Sequence, residues 1–157
     1  MSETADHAGL DQAAQQTRQY TTFRLESLFF GVETVKVQEV LRFQPTTPVP
    51  LAPPVVSGLI NLRGQIVTAV DLRRRLALPE RPDGRPPLNV VVRSDDGAVS
   101  LLVDEIDDVL EVNPDLYEAP PDTVPEQVRE MIRGVYKLSG RLLLVLATDK
   151  VLHFDSP

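Results

Sequence analysis

Cysteine and tryptophan are absent from this 157-residue chain, and histidine occurs only twice. Without cysteine there is no disulfide framework and no thiolate metal site. His7 lies in a polar leader and His153 near the end, so no histidine pair has metal-ligand spacing. Positive charge is also scarce. The net charge is −7, which lacks the basic excess that nucleic-acid binding uses to displace counterions. Aromatic residues make up only 5%, too few for a base-stacking platform. No apolar run approaches the roughly 20 residues of a membrane-crossing helix. No apolar h-region follows Met1, so no secretory signal is expected.

Catalytic signatures are missing as well. There is no nucleophile elbow, phosphate-cradling glycine loop or dinucleotide fingerprint, and no phospho-receiver pattern. No catalytic, metal or cofactor-binding residue is therefore assigned. Asp104, Glu105, Asp107 and Asp108 form the densest carboxylate group, without the alternating ligands and glycine of a calcium loop. They read as a solvated edge that discourages strand pairing. The Arg73–Arg75 run reads as the exposed side of a short helix.

What the chain does have is valine, leucine and proline. Residues 1–19 are polar and small, and read as a disordered tail. Five prolines fall between positions 45 and 54, four between 79 and 87, and four between 114 and 125. Proline cannot donate to a strand ladder, so these clusters mark connections. Between them lie apolar segments of strand length. Residues 22–25 and 30–32 form a first hairpin across Glu26-Ser27, with Leu28 at the turn's edge and Phe29 on the opposite face from Phe30. Residues 35–41 read as a helical turn running into a strand. Residues 88–93 and 99–103 pair across Ser94-Asp95-Asp96-Gly97, and residues 134–138 and 142–146 across Ser139-Gly140. Residues 106–112 make a further strand or bend. A helix over 126–132 starts at Pro125. About ten short strands with brief helices predict an all-β protein, as a barrel or pair of barrels, or else a β-sandwich.

The segment "SGLINLRGQIVTAVDLRRRL" from Ser57 to Leu76 carries the most information. Alternation puts Ile60 and Leu62 on the buried face and Leu59, Asn61 and Arg63 on the other. Arg63-Gly64-Gln65 is the turn, and residues 66–70 return as a strand packed on both sides. Asp71 caps a short helix whose Leu72 and Leu76 stack one turn apart. On turn chemistry alone, Arg63 is a solvated turn residue.

The ordered spacing of Gly58, Asn61-Leu62-Arg63-Gly64 and Val70-Asp71-Leu72 resembles the central motif of the CheW-like family of chemotaxis coupling proteins. "TTFRLESLFFGVETVKVQEVL", "LLVDEIDDVLEV" and "IRGVYKLSGRLLLVLATDKVL" resemble its other segments, so the likeness spans about residues 20–154. It implies two packed five-stranded SH3-like barrels with short helices, dividing near residues 80–88 with strands partly exchanged. It also implies a non-catalytic cytoplasmic adaptor, recruited to membrane arrays without membrane insertion. The implied partners are the regulatory domain of a CheA-type histidine kinase, the cytoplasmic tip of a chemoreceptor, and other CheW copies in array rings. A receptor tip, being helical, is expected to lay an apolar stripe in a groove between the barrels. By position, the resemblance assigns partner binding to Val37, Glu39, Gly58, Asn61 and Arg63, with Glu39 and Arg63 approaching each other. Leu28 and Phe29 depart from the family's usually polar turn. A β-barrel that binds oligonucleotides is the alternative from another class, and a hydrolase a third; the acidic charge and the missing nucleophile–base pair oppose them.

Overall fold

Two β-sheets form the body of the fold. The computed structural model describes residues 18–154, apart from Asp83 and Asp96. The strands are β1 (Arg18–Leu25), β2 (Leu28–Glu33), β3 (Val37–Leu41), β4 (Val56–Leu62), β5 (Gln65–Asp71), β6 (Leu88–Ser94), β7 (Gly97–Val103), β8 (Glu105–Val112), β9 (Tyr117–Glu118), β10 (Ile132–Leu138) and β11 (Arg141–Leu146). Three one-turn helices punctuate them: α1 (Leu72–Arg75), α2 (Glu126–Arg129) and α3 (Thr148–Val151). A six-stranded sheet runs β8-β1-β2-β11-β10-β9, and a five-stranded sheet runs β3-β6-β7-β5-β4. The fold is all-β with two SH3-like subdomains. The sixth strand of the larger sheet, beyond the five expected, is the two-residue β9.

The first strand pair belongs with the last. β2 lies parallel to β11, so the N-terminal hairpin completes the C-terminal sheet. The chain crosses between sheets at the 3-10 turn Thr34–Lys36 and again at Asp104. The division expected near residues 80–88 therefore falls elsewhere: β5 and β6, on either side of that stretch, share one sheet. Proline density there marks an excursion from the sheet and not a change of subdomain. β1 also begins at Arg18, so Arg18 and Gln19 are strand where a tail was expected. The rest of that tail, residues 1–17, lies outside the described residues.

Why several strands read as unbroken apolar runs follows from three cores. The largest joins both sheets: Phe23, Leu25, Phe30 and Val32 meet Val70, Val90, Val92 and Leu101. Each sheet also curls round a smaller core of its own. Tyr20, Phe29, Tyr136, Leu143 and Val145 fill one, and Ile60, Leu62, Val67, Val91 and Leu102 the other. Successive residues of one strand thus enter different cores, as Phe29 and Phe30 do, and as Val90 and Val91 do. Phe29 is interior to β2, with the Arg141 guanidinium 3.8 Å over its ring, a cation–π cover. Of the unusual apolar pair, Phe29 is therefore core, and Leu28 opens β2 half-buried against the shared core; neither is a turn residue. Ile66 is the exception in the other direction. It is 60% exposed, because β5 is packed on both sides only from Val67 onward.

Candidate partner-docking site

The hairpin between β4 and β5 has a two-residue turn, Arg63-Gly64, closed by the Leu62–Gln65 pair. Both turn residues are left-handed, with φ of 53° and 88°. That is the pattern of a type I′ turn, which suits the right-handed twist of the flanking strands and favours Asn-Gly. Arginine at its first position works against that preference. Asn61 offsets part of the cost, since its side-chain oxygen accepts a hydrogen bond from the Gly64 N–H at 2.9 Å.

The Arg63 side chain, 73% exposed, reaches across to Glu39 on β3 and donates to its Oε2. β3 and β4 are the two edges of the five-stranded sheet. The ion pair therefore spans the seam where the curled sheet brings its edges together. The hydrogen bond from Arg63, together with its positive charge, holds the Glu39 carboxyl below its usual range despite an opposing effect of burial. The approach of these two residues, expected from the resemblance, is present.

Gly58 serves the same seam. Thr47 and Leu59 exchange two backbone hydrogen bonds of 2.8 Å each, stitching the proline-rich connection onto the edge of β4. A Cβ on Gly58 would stand 2.5 Å from the Thr47 carbonyl oxygen, and its φ is +153°. Only glycine permits this approach without a shift. Val37 is half-buried and packs against the shared core, where β3 and β6 slip register between Val37 and Glu39. Arg93 fixes this corner by donating to the Val35 and Val37 carbonyls at 2.8 and 3.2 Å. Glu39 and Arg63 thus touch, Asn61 holds their turn, and Gly58 and Val37 shape the backbone on either side.

A cleft of about 720 Å³ opens between the subdomains, with Lys36, Ile66, Thr68, Arg93, Val99 and Leu152 among its lining. Its wall mixes apolar and charged groups, with Asp149 bound to Arg133 at 3.1 Å.

Two charged residues, Arg73 and Asp104, are more buried than the sequence predicts. Arg73 does not decorate an exposed face; its side chain is 6% exposed and forms a forked contact with Asp104 at 3.0 and 3.1 Å from Nε. Arg73 also donates to the Pro79 and Glu80 carbonyls. Asp104 further accepts from Arg81 at 3.1 Å and from the Glu26 N–H at 2.9 Å. Burial pushes the Asp104 carboxyl upward, but the bonds from Arg73 and Glu26, with the Arg73 and Arg81 charges, outweigh it and hold it below the ordinary aspartate range. Asp107 pairs with Arg24 and Glu105 with Arg85. Asp104 is thus the centre of an ion-paired junction where the chain changes sheets, whereas Glu105, Asp107 and the exposed Asp108 lie on β8, an edge strand of the larger sheet, as the solvated-edge reading expected. A signal was available: Arg73 lies three residues before buried Leu76, on its side of the helix.

The frame of the site is two SH3-like subdomains, an ion-paired seam within the five-stranded one, and a cleft between the two. Residues 19–155 match the CheW-like domain model, and the chain belongs to the CheW-like family. It is 32% identical to the chemotaxis protein CheW of Rhizobium meliloti over 134 residues, covering 85% of this chain and 86% of that one. Its identity to the chemotaxis protein CheW of Bacillus subtilis is 30%, with the same coverage. In three dimensions it superposes on the scaffolding protein TtCheW of Thermoanaerobacter tengcongensis with a TM-score of 0.73 and 24% identity, covering 82% of this chain and 88% of that one.

Proposed function

We propose that this protein is a non-catalytic scaffold coupling chemoreceptors to a CheA-type histidine kinase in a bacterial chemosensory array. The observation that carries the reading is the Glu39–Arg63 pair. An arginine occupies a left-handed turn position that asparagine or glycine would fill with less strain, and it spends its charge on a surface contact. Exposed ion pairs add little to stability, so the arrangement makes sense as the fixed register of a docking face. Val37, Glu39, Gly58, Asn61 and Arg63 form that face and its support.

The inter-subdomain cleft suits the helical receptor tip, which would lay an apolar stripe along Ile66, Val99 and Leu152. Lys36 and Arg93 at the same cleft favour a stripe flanked by acidic residues. Contacts of this kind are weak singly, and an array compensates by repetition. Activation then requires that the bound assembly favour the kinase's active state over its inactive one. No described helix is long and apolar enough to cross a membrane, and recruitment to the array runs through the receptors.

The test is capture of the purified kinase and of a receptor cytoplasmic fragment by the full chain and by Arg63→Ala. The reading predicts capture of both by the parent and loss of at least one by the variant, with its melting profile unchanged. Equal capture by both proteins would remove Arg63 from the docking face, and failure of the parent to capture either would remove the function.

A further inference from the structure

Val37 and Glu39 lie two apart on β3, and in an unbroken strand they would point the same way. They do not. β3 pairs Val37 with Val92 and Glu39 with Val91, which leaves Gln38 over as a bulge. Val92 belongs to the shared core and Val91 to the smaller core of the five-stranded sheet. A slip of one residue moves a side chain to the other face. The bulge thus takes Glu39 off the face of Val37 and turns it towards Arg63. Re-aiming a functional side chain is a recurrent use of bulges.

Arg93 holds the chain at the entry to that bulge. Its Nη1 donates to the Val35 and Val37 carbonyls, on either side of Lys36. The 3-10 turn that leads in, Thr34–Lys36, has no side-chain cap of its own. Arg93 is also exposed on the wall of the inter-subdomain cleft. The other cations of that wall are already spent: Lys36 pairs with Glu33 at 3.5 Å and Arg133 with Asp149 at 3.1 Å. Among the described residues Arg93 pairs with no carboxylate, Asp95 on the same wall included. A guanidinium carries its N–H donors in a planar fork. With Nη1 given to the two carbonyls, the Nε–Nη2 edge keeps the spacing that grips a carboxylate bidentately.

We propose that Arg93 links the cleft to the seam: its Nε–Nη2 edge takes a carboxylate from the partner in the cleft, while its Nη1 holds the bulge that aims Glu39 at Arg63. The link rests on the functional reading above, in which a receptor tip occupies the cleft. A bound carboxylate fixes the guanidinium plane, and with it the carbonyls that Nη1 holds. An ordered bulge in turn presents Arg93 ready to bind. Occupation of the cleft and integrity of the seam therefore favour each other by the same factor. A second copy of this chain is the other source of carboxylates. Its residues 43–62 carry no charge at all, and its acidic β8 edge would approach against a charge of −7 on each copy.

Side-chain NMR of the full chain, titrated with a purified receptor cytoplasmic fragment, tests this. At saturation the Arg93 Nε–H resonance should move, and that of Arg63, which does not line the cleft, should move with it. Both readings are made on the parent, so neither depends on a variant that folds. Arg93→Lys keeps the charge and loses the fork. Its receptor affinity should fall about tenfold, and its Arg63 resonance should no longer respond. Glu39→Gln, outside the cleft, should lower receptor affinity about fivefold by reciprocity. Lys36→Met removes a cation already paired within the chain and should cost less than about threefold. An Arg93 resonance unmoved at saturation would overturn the contact, and an unmoved Arg63 the link, with the scaffold reading left standing. A loss in Lys36→Met equal to that in Arg93→Lys would also overturn it, as an effect of general charge. So would self-association that Arg93→Lys abolishes while receptor binding stays intact, which would give the site to a second copy. A parent chain that does not bind the receptor fragment would take down the link and the reading together.

Discussion

Arg63 and Arg73 stand ten positions apart and do opposite work. The first is 73% exposed at a left-handed turn and meets one carboxylate on its own subdomain. The second is 6% exposed and meets Asp104 at the crossing between sheets. A guanidinium withdrawn from water must satisfy its donors inside the protein, and Arg73 does so with a carboxylate and two carbonyls. One left in water gains little from a partner, so the use of Arg63 lies outside the fold. Charge alone does not separate the two; the environment does.

The comparison breaks first at Arg73. Arg73→Ala leaves Asp104 largely buried without its main partner, and should cost about 3 kcal/mol in denaturant unfolding. A cost as small as that of Arg63→Ala would erase the distinction drawn here. Gly58→Ala comes next. The Cβ contact with the Thr47 carbonyl should cost roughly 2 kcal/mol and loosen the seam, read as faster amide exchange at Thr47 and Leu59.

Acid unfolding sharpens the contrast. The folded-state value for Asp104 is depressed, so its stabilising contribution is fully present above the unfolded aspartate value, about 3.9. It is lost as pH falls below that value towards the depressed one. Asp104→Asn should be less stable at neutral pH and show a flatter stability curve across that acid window. A parallel curve would mean that the junction is not electrostatic. The smallest effect belongs to Arg63→Asn, which suits the turn and should leave the unfolding midpoint unchanged or slightly raised while weakening partner binding.

Much of this was legible from residue order. The hairpin turns at Glu26-Ser27 and Ser139-Gly140 follow from turn chemistry, and the cap at Asp71 is as its spacing predicts: it accepts from the Arg73 and Arg74 N–H groups. Glu39 and Arg63 were paired through family likeness, since residues 24 positions apart on opposite sheet edges share no local pattern. What was misread depended on the other sheet. Whether Arg73 is buried depends on Asp104, 31 residues away, and whether Phe29 is core depends on β11, which arrives more than a hundred residues later. Periodicity sees one strand's two faces but not what covers them.

The central claim is that the Glu39–Arg63 pair acts as a unit of the docking face. A double-mutant cycle on kinase affinity, with Glu39→Ala, Arg63→Ala and both together, tests it most directly. The account predicts that the double variant binds no more weakly than the worse single one, because either change alone already dissolves the pair. Strictly additive losses would mean that the two residues act separately, and would contradict it.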